Sequence, residues 1–250
     1  MTEIPELILL SIIFYLLMHV GDSAAINSIV AGKLSEKPSQ GISIQNSMIV
    51  ASRLPLPLIL IILAFLIENE IMSLKEYLFY AILHLIPVIA MLIIMIRNVN
   101  VFQKFFQRII FFRNRKNLPI AILMSFFSKT NDIELIDFPI KFSIKRVIFI
   151  KSFISSFAYV FLALGFFISF SFAYYFEDFR MTISQLTTVF HGFGGLLIAF
   201  FIDPMISKSI DIKAKNEIWI NNFYSVMFGR LLSYIVSLFI LIIYYLNANI

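Results

Sequence analysis

Five ionisable side chains interrupt long apolar stretches of the sequence, and together they could bind an anion. They are Asp22, Arg53, His84, His191 and Arg230. A charge near the centre of a bilayer costs at least about 2.5–3.5 kcal/mol, so each of these groups needs a partner or a function. Two arginines and one aspartate leave the set cationic or neutral, which favours an anionic ligand. The planar guanidinium group is the side chain best suited to bind phosphate.

Other polar residues lie at helical spacing from these five. His19 precedes Asp22 on one face of the first apolar stretch, and Asn46 precedes Arg53 on one face of the second. Gln185 belongs to a polar stripe in the fifth stretch. The sequence therefore predicts a binding site formed by Arg53, Arg230, Asp22, His19, Asn46, Gln185 and His191. The alternative is an ion pair between Asp22 and one arginine that only holds the helices together, with histidines that are satisfied inside the bundle.

The elements that must position these residues are membrane-spanning helices. Hydrophobic residues make up 60% of the chain and charged residues 14%, against roughly 45–50% and 25% in soluble proteins. Six stretches approach or exceed the roughly 20 residues that a crossing helix needs. They are residues 7–30, 42–67, 74–96, 148–176, 183–202 and 223–246. The predicted fold is an all-α polytopic membrane protein, a single integral-membrane domain over residues 1–250, in which Asp203-Pro204 closes the fifth span.

The basic residues predict how the chain is oriented. Of the 20 Lys and Arg residues, 16 lie in or beside the first, third and fifth loops. Loops rich in Lys and Arg stay in the cytoplasm, so both termini are expected outside it. The net charge of +5 follows from the same rule and is no evidence for nucleic acid as a partner.

The long third loop, residues 97–147, has a pattern of its own. Between residues 101 and 112, apolar pairs alternate with Gln103-Lys104 and Gln107-Arg108. This predicts an amphipathic helix with one basic face that lies on an anionic leaflet, either as an anchor or to capture lipid. Leu118–Phe127 is apolar but too short to cross. It is expected to be interfacial, re-entrant or buried against the bundle.

Several kinds of chemistry are disfavoured. The chain has no Cys, so it has no thiolate metal site or cysteine nucleophile. Its spans lack the Asp-rich motifs of polyprenyl transferases and the zinc-protease and serine-hydrolase motifs. Its three His residues lie on three different spans, without metal-ligand spacing. We therefore expect neither an enzyme nor a cofactor.

Two parts of the chain carry motifs in a fixed order. The first runs from His19-Val-Gly-Asp22 in the first span to Ser52-Arg53-Leu54 in the second. The second reads Ser184-Gln185-Leu186, then His191-Gly192, then Asp203-Pro204, and Gly229-Arg230-Leu231 follows in the last span. In order, spacing and placement these residues resemble the Amj family of lipid II flippases, the alternative to MurJ. His191 stands where that family has Asn.

The resemblance implies a substrate and a membrane. A lipid II flippase moves the undecaprenyl-pyrophosphate-linked peptidoglycan precursor from the inner to the outer leaflet of the bacterial cytoplasmic membrane. Arg53 and Arg230 would then bind the pyrophosphate, and Asp22 would compete for them when the site is empty. The expected partners are lipid II and membrane lipids, and a homodimer stays open. The alternatives are a membrane scaffold or subunit that transports nothing, and an exporter of another anionic lipid.

Overall fold

The fold is all-α. A computed structural model describes residues 3–127, 135–139, 141–211 and 216–248. Over these residues the chain forms eleven α-helices. They are α1 (Glu3–Leu34), α2 (Pro38–Ser52), α3 (Leu56–Glu68), α4 (Leu74–Arg97), α5 (Val99–Arg113), α6 (Leu118–Phe127), α7 (Phe149–Ala173), α8 (Arg180–Ser184), α9 (Leu186–Leu197), α10 (Asp203–Asp211) and α11 (Asn216–Asn247).

Six helical segments are long and apolar enough to cross a membrane, as the sequence predicts. Spans one to six are Pro5–Leu34, Pro38–Glu68, Leu74–Arg97, Phe149–Ala173, Thr182–Lys208 and Glu217–Asn247. We call the end where α1 and α4 stop, at Leu34 and Arg97, the basic end. The opposite end is where α3 and α7 stop, at Glu68 and Ala173.

Spans four and six form the centre of the bundle. Gly229 of α11 lies so close to α7 that a Cβ there would collide with the Ser152 carbonyl oxygen and the Ser155 side chain. The Ser152 and Ser155 hydroxyls donate hydrogen bonds to the Ser225 and Val226 carbonyl oxygens of α11, at 3.0 and 3.1 Å. Small residues and interhelical hydroxyl bonds are the usual means of helix association in lipid, where no hydrophobic effect drives it.

Span two is not the single helix that the sequence predicts. It is broken between α2 and α3, where residues 53–55 form a turn. The Arg53 and Leu54 N–H groups donate back to Val50 and Ala51 at 3.3 and 3.2 Å, which is the spacing of a tight turn. Pro55 explains the break, because it has no N–H and its ring collides with the carbonyl four residues before it. The break lies within the predicted apolar stretch, directly at Arg53.

Span five is also irregular. It consists of α8, an interruption at Gln185, α9, a π-helical turn at Ile198–Ile202, and α10. The prediction that Asp203-Pro204 closes this span is wrong. Pro204 lies in the first turn of α10, where a missing N–H breaks no helical hydrogen bond, so the helix continues to Asp211.

The third loop forms a pair of helices, α5 and α6, at the basic end. Lys104 and Arg108 are partly exposed, but Gln103 and Gln107 are buried, so the predicted polar face is only half correct. The Gln103 and Gln107 amides donate to the Ile136 carbonyl oxygen at 2.9 and 2.8 Å and hold the following segment in place.

The short helix α6 packs on α5 and leaves much of its apolar surface open. Ala121 and Ser125 are its buried residues, whereas Leu123, Phe126 and Phe127 are exposed. Of the three placements expected for it, this pattern fits an interfacial helix and not one buried against the bundle.

Candidate functional site

The centre of the site is an ion pair between spans one and six. Arg230 Nη2 of α11 lies 3.6 Å from Asp22 Oδ2 of α1. The other carboxylate oxygen of Asp22 accepts a short hydrogen bond from the Ser52 hydroxyl at the end of α2. Gly21 allows this approach, because a Cβ at Gly21 would lie 2.8 Å from Cβ of Ser52. The structure therefore pairs Asp22 with Arg230, one of the two arginines that the sequence offered.

Arg230 is almost completely buried and has unused hydrogen-bonding capacity. Only 1% of the residue is exposed. Its guanidinium carbon lies 4.2 Å from the centre of the Tyr159 ring, in a cation–π contact, and Tyr234 hydrogen-bonds the same group. The Nε and Nη2 atoms have no hydrogen-bond partner. A guanidinium group has five N–H donors, so Arg230 could donate to a further acceptor.

The histidines of spans one and three extend this cluster toward the opposite end. The Tyr234 hydroxyl is hydrogen-bonded to His19 Nδ1, while His19 Nε2 is buried without a partner. Next to His19, the Tyr15 hydroxyl donates to the Ala163 carbonyl oxygen at 2.9 Å. His84 is bonded to Ser11 at 2.8 Å and to the Tyr80 carbonyl oxygen at 2.7 Å. His84 is thus a satisfied interior histidine, and His19 is not.

Arg53 occupies a different environment from Arg230. It lies in the turn that breaks span two, its side chain is exposed, and it forms no ion pair with any residue that the structure describes. It is within electrostatic range of His191 and of His19. Arg53 therefore lies beside the cluster of Asp22 and Arg230 with its charge uncompensated.

His191 of span five packs against span four. Its ring contacts Gly165, where a Cβ would lie 2.9 Å from the ring carbon Cδ2, and it meets the Phe166 ring edge-on with the centroids 4.6 Å apart. A backbone hydrogen bond to Leu162 orients the ring, and Nε2 is buried without a partner. His191 is therefore positioned next to Arg53 with one nitrogen available.

Spans two and five enclose open space between them, which we call the central groove. A Cβ at Gly192 or at Gly195 would meet no atom within 4 Å. Gln185 and Thr188 share that helix face and line a cavity of about 210 Å³ between α9 and α3. The central groove is this cavity together with the open face of α9 that continues from it, and Gln185, Thr188, Gly192 and Gly195 lie on that face. We assign Arg53 to the groove because it is within electrostatic range of His191 on the same helix.

The central groove is bridged at both ends. At the basic end, the Gln45 side chain of α2 faces Asp203 of α10. At the opposite end, Arg180 contacts Glu70 at 3.2 Å and the Ile67 carbonyl oxygen at 3.4 Å. Spans two and five are thus tied at their ends and separated in the middle of the membrane.

Some of the predicted site residues are brought together and others are not. Asp22, His19 and Arg230 form the buried cluster, and Arg53, His191 and Gln185 lie along the central groove. Asn46 is exposed, and no contact joins it to the cluster. Its neighbour Gln45 is buried instead. Ser52, Tyr159 and Tyr234 also belong to the cluster and are not among the predicted site residues. Tyr234 lies one turn after Arg230, so its helical spacing could have revealed it.

The three glycines of span five have different environments, and this leads to a first prediction. A Cβ at Gly194 would lie 3.0 Å from the Ala158 carbonyl oxygen and 3.1 Å from Leu162. Gly194→Ala should therefore destabilise the protein by roughly 1–3 kcal/mol, the usual cost of overpacking. Gly195→Ala adds its methyl group to open space and should leave stability unchanged or slightly higher. Thermal unfolding of the two purified variants in detergent tests this, and an equal effect would show that α9 does not face an open groove.

The fold and the site together define an all-α polytopic membrane protein with a buried ion pair beside a groove between two broken spans. Among the described residues, no cluster of three His, Asp or Glu side chains could hold a metal ion. The chain matches no model of a protein family, no curated protein and no solved structure.

Proposed function

We propose that the protein is a lipid II flippase. The observation that carries the proposal is the arginine pair of the site. Arg230 is buried with two nitrogens that lack hydrogen-bond partners. Arg53, exposed and without an ion pair to a described residue, directly follows Ser52, which hydrogen-bonds the Asp22 partner of Arg230. Two guanidinium groups in one site are suited to a pyrophosphate, which offers acceptors to both. The resemblance of the sequence motifs to the Amj family supports the same substrate.

The central groove suits a substrate with a polar head and a lipid tail. The head needs a polar route through the hydrocarbon, and the groove has Arg53, His191 and Gln185 along it. The tail never has to leave the lipid, because the groove lies between two spans at the edge of the bundle. Only 17% of the apolar window of span five and 22% of that of span two are buried inside the protein, so these spans are largely surrounded by lipid.

Asp22 has a defined role in this proposal. In the empty site it holds Arg230 and is itself held by Ser52. A pyrophosphate that reached Arg230 would compete with Asp22 for it. A ligand shifts a conformational equilibrium only by binding one state better than the other, and exchange of the Arg230 partner would provide that difference. The bridges at Gln45–Asp203 and Arg180–Glu70 would then open in turn.

The proposed location is the bacterial cytoplasmic membrane, with the basic end in the cytoplasm and both termini outside it. The excess of Lys and Arg at that end supports this orientation. The cationic groups of the groove would then meet lipid II on the side where it is made.

The competing function is a membrane scaffold or subunit, and the burial of the Asp22–Arg230 pair favours it. A buried pair can serve assembly alone. The unpartnered Nε of Arg230 and the open groove are expected of a transporter, whereas a scaffold has no use for either.

A complementation experiment tests the proposed function. The gene is expressed in a bacterium whose MurJ-type flippase can be depleted, and growth is followed after depletion. We expect growth and normal cell shape with the wild-type chain and lysis with an empty vector. Lipid II that accumulates in the inner leaflet despite normal amounts of the protein would contradict the proposal. Survival that depends on a different anionic lipid would point instead to an exporter of that lipid.

A further inference from the structure

A second cavity lies at the basic end, outside the central groove. It has a volume of about 500 Å³ and is enclosed by the junction of α4 and α5, by the segment after α6 and by the start of span six. Its lining includes Arg97, Asn98, Asn100, Phe138, Lys141 and Tyr224. Along α11, Tyr224 is about 9 Å of helical rise from Arg230, so the cavity is separate from the buried ion pair.

One wall of this cavity is aromatic. The rings of Phe138 and Tyr224 lie 5.7 Å apart, and those of Phe142 and Tyr224 lie 5.2 Å apart. Behind them Phe138 also contacts Trp219 at 5.7 Å. Aromatic side chains concentrate at the level of the lipid headgroups, where their rings are half in lipid and half in water. The lining residue Arg97 ends span three, so the cavity lies where that span leaves the hydrocarbon, at the depth of the headgroups.

The mouth of the cavity is cationic. Arg97 and Lys141 are exposed, and neither forms an ion pair with a residue that the structure describes. The acidic residue closest in sequence to Lys141, Asp137, is engaged by Lys104 at 2.6 Å.

We propose that this cavity binds the phosphate headgroup of an anionic phospholipid from the surrounding leaflet. Arg97 and Lys141 contact the phosphate. Because an apolar surface lies beside the cavity, the ligand is a lipid and not free phosphate. Val101, which lines the cavity, is 65% exposed. The Ile148 N–H donates to the Ser225 hydroxyl next to Tyr224, and the following residues Phe149 and Ile150 are 78% and 70% exposed. Acyl chains cover such surfaces.

Lipid retention measured by native mass spectrometry tests this site. The protein is purified from membranes of phosphatidylglycerol and phosphatidylcholine, and the lipids that stay bound are counted. The cavity variant Arg97→Gln/Lys141→Gln should retain about tenfold less phosphatidylglycerol than the wild type, because two of the cationic groups at the site are lost. Phosphatidylcholine retention should not change.

A matched variant separates a site from general surface charge. Arg115→Gln/Lys116→Gln removes the same charge from exposed positions in the turn between α5 and α6, outside the cavity. It should retain phosphatidylglycerol like the wild type. If both double variants lose phosphatidylglycerol equally, or neither loses any, the cavity is not a specific lipid site. Displacement of the lipid by millimolar inorganic phosphate would show that soluble phosphate is the ligand and would overturn the lipid assignment.

Discussion

Arg230→Met should remove most of the folded protein, and the loss should be recovered by adding Asp22→Asn. Methionine keeps much of the volume of Arg230 but leaves the Asp22 carboxylate buried without its cation. Breaking one side of a buried ion pair costs about 3–5 kcal/mol, whereas removing both charges is often neutral. Asp22→Asn alone should cost less, because Arg230 keeps the Tyr159 ring and Tyr234.

The thermal midpoint and the yield of the two single variants and the double variant measure the effect on stability. Complementation of the same three variants measures the effect on transport. For a flippase, the double variant should recover stability and still fail to transport, because Arg230 is needed for the substrate. A double variant that regains both would show that the pair serves assembly only. A double variant as unstable as Arg230→Met would contradict the ion pair itself.

Unlike Arg230→Met, Arg53→Gln should leave stability normal and strongly reduce transport. The side chain is exposed in a turn and forms no ion pair with a described residue, so folding does not depend on its charge. A hydrogen bond to a charged group contributes about 1.5–3 kcal/mol, which corresponds to a loss of about tenfold to a hundredfold in transport. Flipping by the purified protein in vesicles, with labelled lipid II, measures it.

Two controls belong with this experiment. Arg53→Lys keeps the charge but loses the two-pronged contact with phosphate, and should be intermediate. Asn46→Ala changes an exposed residue seven positions earlier that contacts none of the cluster, and should transport normally. Undiminished transport by Arg53→Gln would remove Arg53 from the site and leave Arg230 as its only arginine.

The spans could be predicted from the sequence because hydrocarbon imposes a length on apolar segments. The break in span two could not be predicted in the same way, because the apolar stretch continues through it and only the local effect of Pro55 interrupts the helix. The continuation of span five through Pro204 is the opposite case. A proline that follows a π-helical turn begins the next helix instead of ending one.

Some of the residues that form the site could be predicted from the sequence. The cost of burying charge singles out Asp22, Arg53 and Arg230 without any structure. Which arginine pairs with Asp22 depends on how far each helix is rotated about its axis, and no periodicity within one helix determines this. The same limit explains why Gln45 faces inward in place of its neighbour Asn46.

The break in span two affects how the membrane potential would act on a charged substrate. The turn at residues 53–55 removes helical hydrogen bonds in the middle of span two, and in a bilayer such backbone is tolerated only where protein or water satisfies it. A hydrated central groove would carry little of the potential drop, which would fall instead across the bridges that close its two ends. Moving one elementary charge through the full potential changes the free energy by about 2.3 kcal/mol per 100 mV. An anionic headgroup that travels outward from a negative interior would therefore be driven by the resting potential itself.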